Sequence, residues 1–345
     1  MLEFAYDSLS FNIGLFVISA TAIALSGAWM TTIAERLAKK TNLGQALMGA
    51  LFLGFSTSLP GIVTSLSAAA TGYPELAIGN ALGDIAVQTA FLGIADITYL
   101  EGNLEYAAAE AATLTQGTLL IVLLAIPLLT ISYPSVNFWG IHPASVLLII
   151  TYILGLRLVA AANTLPMWKA HHIGEEKLEQ PETEESDNSG LVGLWLRFAA
   201  LAAILAIAGY GVEEASVFIA DSTSLSENAV GSLFTAIATS LPELVITIVA
   251  VQRGAFTLAI SGVLGGNTFD VLVLAFCDLV YRQGSIYEAL TESTVFILAL
   301  TILMTGILLL GLLRREEHGI GNIGFESFLV LLVYVSGFLL VFFTG

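Results

Sequence analysis

Long apolar runs separated by short polar turns fill most of the chain. They predict ten membrane-crossing helices, over residues 11–33, 43–70, 74–98, 106–131, 138–165, 191–220, 227–251, 255–280, 287–313 and 322–343. Runs of about twenty apolar residues are the length that crosses the hydrocarbon core of a bilayer. Two of these runs carry interruptions that a uniformly apolar helix lacks. Pro60-Gly61 breaks the second, and Gly79, Gly83 and Gly93 loosen the third. The first run spans without a basic start, as expected of a membrane helix rather than a short cleavable leader.

The interruptions recur. Shifting the chain by 182 positions lays Thr57-Ser58-Leu59-Pro60 on Thr239-Ser240-Leu241-Pro242, Leu76-Ala77-Ile78 on Leu258-Ala259-Ile260, Gly83 on Gly265 and Asp96 on Asp278. From Gly49/Gly231 to Asp96/Asp278 the register has no gap, with 17 identities in 48 positions. The ten runs thus form two sets of five, residues 1–165 and 191–345, joined by a linker over 166–190. An odd number of crossings per set places the two repeats in opposite orientations, the plan of many secondary transporters. The expected fold is an all-α polytopic membrane protein of two inverted five-helix repeats.

Composition agrees: 57% of the 345 residues are hydrophobic, 11% are charged and the mean hydropathy is +0.88. A formal charge of −17 argues against a nucleic-acid partner, which would need a basic face. The one cysteine, Cys277, excludes an internal disulfide and reads as a buried inert thiol. Seven acidic residues between positions 171 and 190 mark the linker as a solvated connection. His171-His172 in it has no third ligand at metal-binding spacing. With the N-terminus outside, ten of the eleven Lys and Arg residues fall on the cytoplasmic side and only Arg282 falls outside. Both termini are therefore expected to face away from the cytoplasm and the linker to lie within it, in a protein of the cell membrane.

The chemistry concentrates in residues 49–96 and 231–278. A carboxylate at bilayer depth costs roughly 2.5 to 3.5 kcal/mol, which makes such residues functional candidates. Pro242 has no amide proton and frees carbonyls in the preceding turn. Thr239 and Ser240 lie four and three residues before Glu243, on one helical face. Gly265 and Gly266 permit close backbone approach, and Asp270 one turn later is expected to point a second carboxylate at Glu243. In the first repeat the corresponding residues are Thr57, Ser58, Pro60, Gly61, Gly83, Asp84 and Gln88. Such a set of hydroxyls, carbonyls and carboxylates is what hard cations require. Gly79-x-x-x-Gly83 reads either as a packing notch or as an access route for the ligand. No Lys or Arg occurs in residues 49–96 and only Arg253 in 231–278, so a bound cation or proton is the simplest compensator. Glu110, Glu213, Glu214 and Glu292 read as residues of span ends without a direct role, and Asp96 and Asp278 as helix-end residues. No nucleophile, phosphate loop or His-rich motif points to an enzyme.

The two stretches resemble the alpha-repeats of the calcium/cation antiporter superfamily, especially sodium/calcium exchangers, which pair a G-x-[ST]-S-L-P-E element with a G-N-x-x-G-S-N element. Here the first repeat reads GFSTSLPG and GNALGDI (54–61, 79–85) and the second AIATSLPE and SGVLGGN (236–243, 261–267). The family's first-repeat glutamate falls on Gly61 and its following serine on Asp84. The resemblance implies exchange of Ca2+ for Na+ by alternating access, with no cofactor, in a lipid bilayer. It also implies a cation site of Thr57, Ser58, Asp84, Gln88, Thr239, Ser240, Glu243 and Asp270, with Asp84, Glu243 and Asp270 as metal ligands. Protons as the counter-ion, K+ or Mg2+ as the cargo, and a non-transporting cation-binding scaffold or sensor are the alternatives. Oligomeric state is not readable from the chain.

Overall fold

The computed structural model describes residues 8–41, 54–99, 104, 109–164, 190–223, 225–314 and 324–344. The linker and the 43–53 start of the second predicted span lie outside them. The helices are α1 (Leu9–Thr41), α2 (Gly54–Thr71), α3 (Pro74–Thr98), α4 (Ala111–Thr130), α5 (Pro143–Thr164), α6 (Leu191–Ser222), α7 (Glu227–Thr239), α8 (Leu241–Gln252), α9 (Phe256–Val280), α10 (Glu292–Arg314) and α11 (Phe325–Thr344). Among the described residues, eight helices are long and apolar enough to cross a membrane, and α7 and α8 together make a ninth, bent by 48° at Ser240.

Four predicted boundaries shift. The first helix runs on past the predicted end at Ile33 to Thr41. The fourth span begins at Ala111. The fifth begins at Pro143, because Phe138–Ile141 closes into a tight turn with Trp139 and Gly140 at positive φ. The ninth begins at Glu292, after a short 3-10 turn over Ile286–Ala289. The break predicted at Pro60 is also absent, since α2 runs through it. The contrast with Pro242 has a local cause. Leading into Ser240, the Thr235 hydroxyl bonds the Gly231 carbonyl and the Thr239 hydroxyl bonds the Thr235 carbonyl at 2.8 Å, in a stretch already widened into a π-helix over Val230–Thr235. Hydroxyls that draw carbonyls off the ladder weaken it where Pro242 removes a donor. The first repeat has Leu53 where the second has Thr235.

Helices α3 and α9 form the centre: 94% of the α3 membrane window and 78% of that of α9 are buried, against 17% for α6. The main apolar core gathers around them from α4, α5, α10 and α11, and includes Cys277. Helix α1 runs along α6 on the periphery, through Ile23, Met30, Leu205, Ala208 and Val212. Gly79 and Gly83 face Asn228 and Ser232, so that notch seats α7 against α3. The glycines leave α3 an unbroken helix of 25 residues.

The register of 182 positions governs contacts as well as letters. Asp96 accepts from the Leu104 amide (2.8 Å), the Gly324 amide (2.8 Å) and the Ser327 hydroxyl. Asp278 accepts from Ile286 N (3.1 Å), His142 N (2.8 Å) and Ser145 Oγ (2.7 Å). Each partner of one is the other's partner shifted by 182. The same holds outward: Gly27 abuts Pro242, and Gly209 abuts Pro60. The contact register therefore extends well beyond the stretch of letter identity.

Asp96 and Asp278 are thus buried loop anchors, each tying the connection after its helix to the start of a distant span. Replacing either by Ala strands two buried amides, each worth about 1–3 kcal/mol. Asp96→Ala and Asp278→Ala are therefore expected to lower the midpoint of thermal unfolding in detergent by similar amounts, measured by intrinsic fluorescence.

Candidate functional site

The site lies where the α7–α8 break meets the middles of α2, α3 and α9. Ser240 leaves the helical region (φ −92, ψ 6), and Leu241 restarts the chain as α8 with Pro242 and Glu243 in its first turn. A restarting helix presents free amides and the positive end of its dipole, which suits a carboxylate there.

Asp84 is the most densely bonded of the three buried carboxylates. Its Oδ1 accepts from Thr239 Oγ1 (2.8 Å) and Ser240 Oγ (2.8 Å), and its Oδ2 from Asn80 Nδ2 (3.1 Å). A Cβ added at Gly61 would stand 2.5 Å from Asp84 Oδ2. The carboxylate of Asp84 therefore fills, from the neighbouring helix, the space that a side chain at position 61 would enter. Gln88 bridges onward: its Nε2 donates to Asp270 Oδ2 (2.9 Å) and to Ser240 Oγ (3.4 Å). On α2, Thr57 turns its hydroxyl toward Glu243 and Ser58 toward Asp270.

Shifting by 182 again pairs these contacts. Ser58 facing Asp270 corresponds to Ser240 facing Gln88. Thr57 facing Glu243 corresponds to Thr239 facing position 61, and the carboxylate that Thr239 finds there is that of Asp84. All eight predicted site residues are thus drawn into one region. They do not close on one point, however: among the described residues no group of three carboxylate, His or Cys side chains is compact enough to hold a metal ion. The Gln88 amide stands between Asp270 and Ser240, and Asp84 is held back by Thr239, Ser240 and Asn80.

Acceptors outnumber donors. Thr239 Oγ1 has one proton and four acceptors in reach: Asp84 Oδ1 (2.8 Å), Thr235 O (2.8 Å), Ala236 O (3.3 Å) and Asn80 Oδ1 (3.4 Å). Gln88 Oε1, Asn267 Oδ1 and both oxygens of Glu243 are buried without a formed hydrogen bond among the described residues. The charged neighbours of these carboxylates are one another. Buried like charges repel strongly at this dielectric, and buried acceptors without donors are costly. The arrangement fits small, hard, oxygen-seeking cations.

The structure adds two asparagines that the site reading omitted. Asn80 holds Asp84 and also donates to Ser65 Oγ (2.9 Å), while Asn267 donates to Thr89 Oγ1 (3.0 Å). The four-residue spacing of Asn80 and Asp84 on one helix was the available signal for the first. Gly265 has a packing partner in Gln116 of α4, and Gly266 faces Gln88.

Known proteins resemble this chain along most of its length. The family model described as sodium/calcium exchanger protein matches residues 11–165 and 192–344. The chain is 25% identical over 267 residues to an uncharacterized membrane protein of Methanocaldococcus jannaschii, covering 76% of this chain and 80% of that one. It is 31% identical over 136 residues to the sodium/calcium exchanger MaX1 of Methanosarcina acetivorans, covering 39% of each. Among solved structures it is similar to the sodium-calcium exchanger NCX_Mj, with TM-score 0.59, 20% identity and coverage of 95% of this chain and 98% of that one. It is also similar to the H+/Ca2+ exchanger CAX, with TM-score 0.69, 13% identity and coverage of 95% and 82%.

Gly61→Ala tests the space that Asp84 occupies. The added methyl is expected to push the carboxylate off Thr239 and Ser240 and destabilise the protein by about 1–3 kcal/mol, read as a lower midpoint of thermal unfolding in detergent.

Proposed function

The chain belongs to the sodium/calcium exchanger protein family, and on that premise we propose that it exchanges Ca2+ for Na+ by alternating access through the α2–α3–α7–α8–α9 site. The observation that carries this reading is the placement of Asp84. Its carboxylate stands in the space left by Gly61 and takes hydrogen bonds from Thr239 and Ser240. The number of carboxylates at the site is thereby kept although one has changed helix.

Three carboxylates, four Thr/Ser hydroxyls and the carbonyls loosened before Ser240 suit Ca2+, which takes six to eight oxygens in flexible geometry. Mg2+ demands a near-ideal octahedron, which a dispersed set does not supply. Na+ competes for the same oxygens. Exchange then follows from mutual exclusion, because Ca2+ and Na+ each neutralise carboxylates that cannot stay uncompensated in a dry interior. Asp84, Glu243 and Asp270 hold charge, Thr57, Ser58, Thr239 and Ser240 complete the shells, and Gln88 spaces Asp270 from the first-half ligands.

In the same reading the chain crosses the cell membrane ten times as two inverted repeats, with α2 completing the tenth span. The shared register of Asp96 with Asp278 and of Gly27–Pro242 with Gly209–Pro60 supports this plan. Both termini face outward and the 166–190 linker faces the cytoplasm, in keeping with the distribution of Lys and Arg. That arrangement puts the 71–74 and 222–227 turns on the outer side.

The direct test is calcium flux into proteoliposomes of the purified chain under an imposed sodium gradient and, separately, an imposed pH gradient. Sodium-driven flux that Asp84→Asn abolishes is the expected outcome. Flux driven by the pH gradient alone would replace sodium with protons as counter-ion, and cation binding without flux under either gradient would make the chain a scaffold or sensor. A second test moves the carboxylate back. Gly61→Glu alone is expected to be inactive because two acidic side chains then claim one space, whereas Gly61→Glu with Asp84→Ser recovers sodium-driven flux.

A further inference from the structure

Helix α6 carries a buried carboxylate that the central site does not use. Glu213 lies nine residues before the end of α6 and is 2% exposed, which corrects its reading as a span-end residue. Its Oε1 accepts from the hydroxyl of Thr71, the last residue of α2, at 3.0 Å. Its Oε2 is buried with no partner, and so is the hydroxyl of Ser216, three residues on along the same face of α6. Neither protonation state of Glu213 satisfies these atoms. As a carboxylate, Oε2 lacks a donor; as an acid, it carries a buried O–H without an acceptor. A hydroxyl inside a helix ordinarily turns back to a carbonyl of the preceding turn, as those of Thr89, Thr247 and Thr301 do here, yet Ser216 does not.

The charged surroundings are acidic. Glu214 follows Glu213 on α6, turned outward and bonded to the Tyr210 hydroxyl at 2.6 Å. Toward the end of the seam, Asp221 accepts from Tyr73 (3.1 Å), and Glu75 and Glu227 stand within electrostatic range of one another. The place is distinct from the central site: Thr71 is ten residues beyond Gly61 on α2, about 15 Å along the helix axis. Between them the α2–α6 seam stays polar, with Thr64 Oγ1 donating to the Gly209 carbonyl at 2.9 Å.

We propose that Glu213, Ser216 and Thr71 form a second cation site, for one monovalent ion of the sodium class, on the seam between α2 and α6. A single carboxylate fixes the charge at one. An ion seated there takes Glu213 Oε2, Ser216 Oγ and Thr71 Oγ1 as ligands and leaves the Thr71 proton free to turn to the Ser67 carbonyl, which already lies 2.9 Å away. Hydroxyl and carboxylate oxygens are the ligands Na+ shares with other hard cations. Within the antiporter reading, such a site loads sodium from the acidic mouth before it reaches the central oxygens. The site itself does not depend on that reading.

The test is sodium binding without transport. Infrared difference spectra of the purified full chain, taken on exchanging choline for sodium at fixed pH, report the carboxylate stretch of ligands that take up the ion. The comparison background is the triple variant Asp84→Asn, Glu243→Gln, Asp270→Asn, with size-exclusion elution as the check on folding. A saturable sodium-dependent carboxylate band is expected to survive in the triple variant and to vanish when Glu213→Gln is added. Ser216→Ala is expected to raise the half-saturating sodium by about tenfold, the scale of one lost ligand. A band lost entirely with the triple variant, one that survives Glu213→Gln, or one that responds to pH but not to sodium overturns the proposal. If the triple variant does not fold, radioactive sodium bound per chain decides: Glu213→Gln in the otherwise native protein must lose one site, and an unchanged count overturns it. Proteoliposome flux is a separate reading, so its failure leaves this result intact.

Discussion

The constraint on which the rest depends is uncompensated negative charge in a low-dielectric interior. Three carboxylates are buried near one another, with one another as their charged neighbours. A folded chain tolerates that only where hydroxyls, amides and helix amides converge, and the α7–α8 break is the place where they do. The π-widened turn, the carbonyls engaged by Thr235 and Thr239, and the missing amide of Pro242 together open the helix where Asp84 needs two hydroxyl donors. The break thus supplies hydroxyl donors to Asp84 as well as a bend in the backbone.

The two halves reach equivalent solutions with unequal residues. Glu243 stands in the second half where the first has Gly61, and Asp270 stands where the first has Gln88. Asp84 makes up one carboxylate from the next helix, and the Gln88 amide spans the gap to Asp270. The pseudo-symmetry therefore resides in the positions of oxygen atoms more than in residue identities. Departures of single letters from a family pattern mislead unless the neighbouring helix is considered with them.

Much of this was legible in the chain. Apolar run length located the helices, and the repeated proline, hydroxyl and glycine positions located the site, because both depend on local composition. The less legible features depend on contacts between distant segments. That α2 continues through Pro60 while α7 breaks at Ser240 accompanies a local difference, Leu53 against Thr235, whose effect on the backbone the letters do not announce. The bonds from Gln88 to Asp270 and Ser240 run between helices, so no neighbour in sequence announces them. Glu213 read as a span-end residue because it lies near the end of an apolar run, while its burial against Thr71 requires knowing that α2 ends beside it. Asp96 and Asp278 were recognised as helix-end residues, but their partners lie as far as 228 residues away.

Those two aspartates also limit how the protein can vary in length. Each is bonded to an amide eight residues on, across the turn that follows its helix, and to a second at the mouth of a far span. A residue inserted into either turn would shift one amide out of reach while the other stayed fixed. The lengths of the 96–104 and 278–286 connections are therefore set by buried charge. Changes of length are better borne elsewhere, in the long acidic stretch between the halves, where none of these bonds would be disturbed.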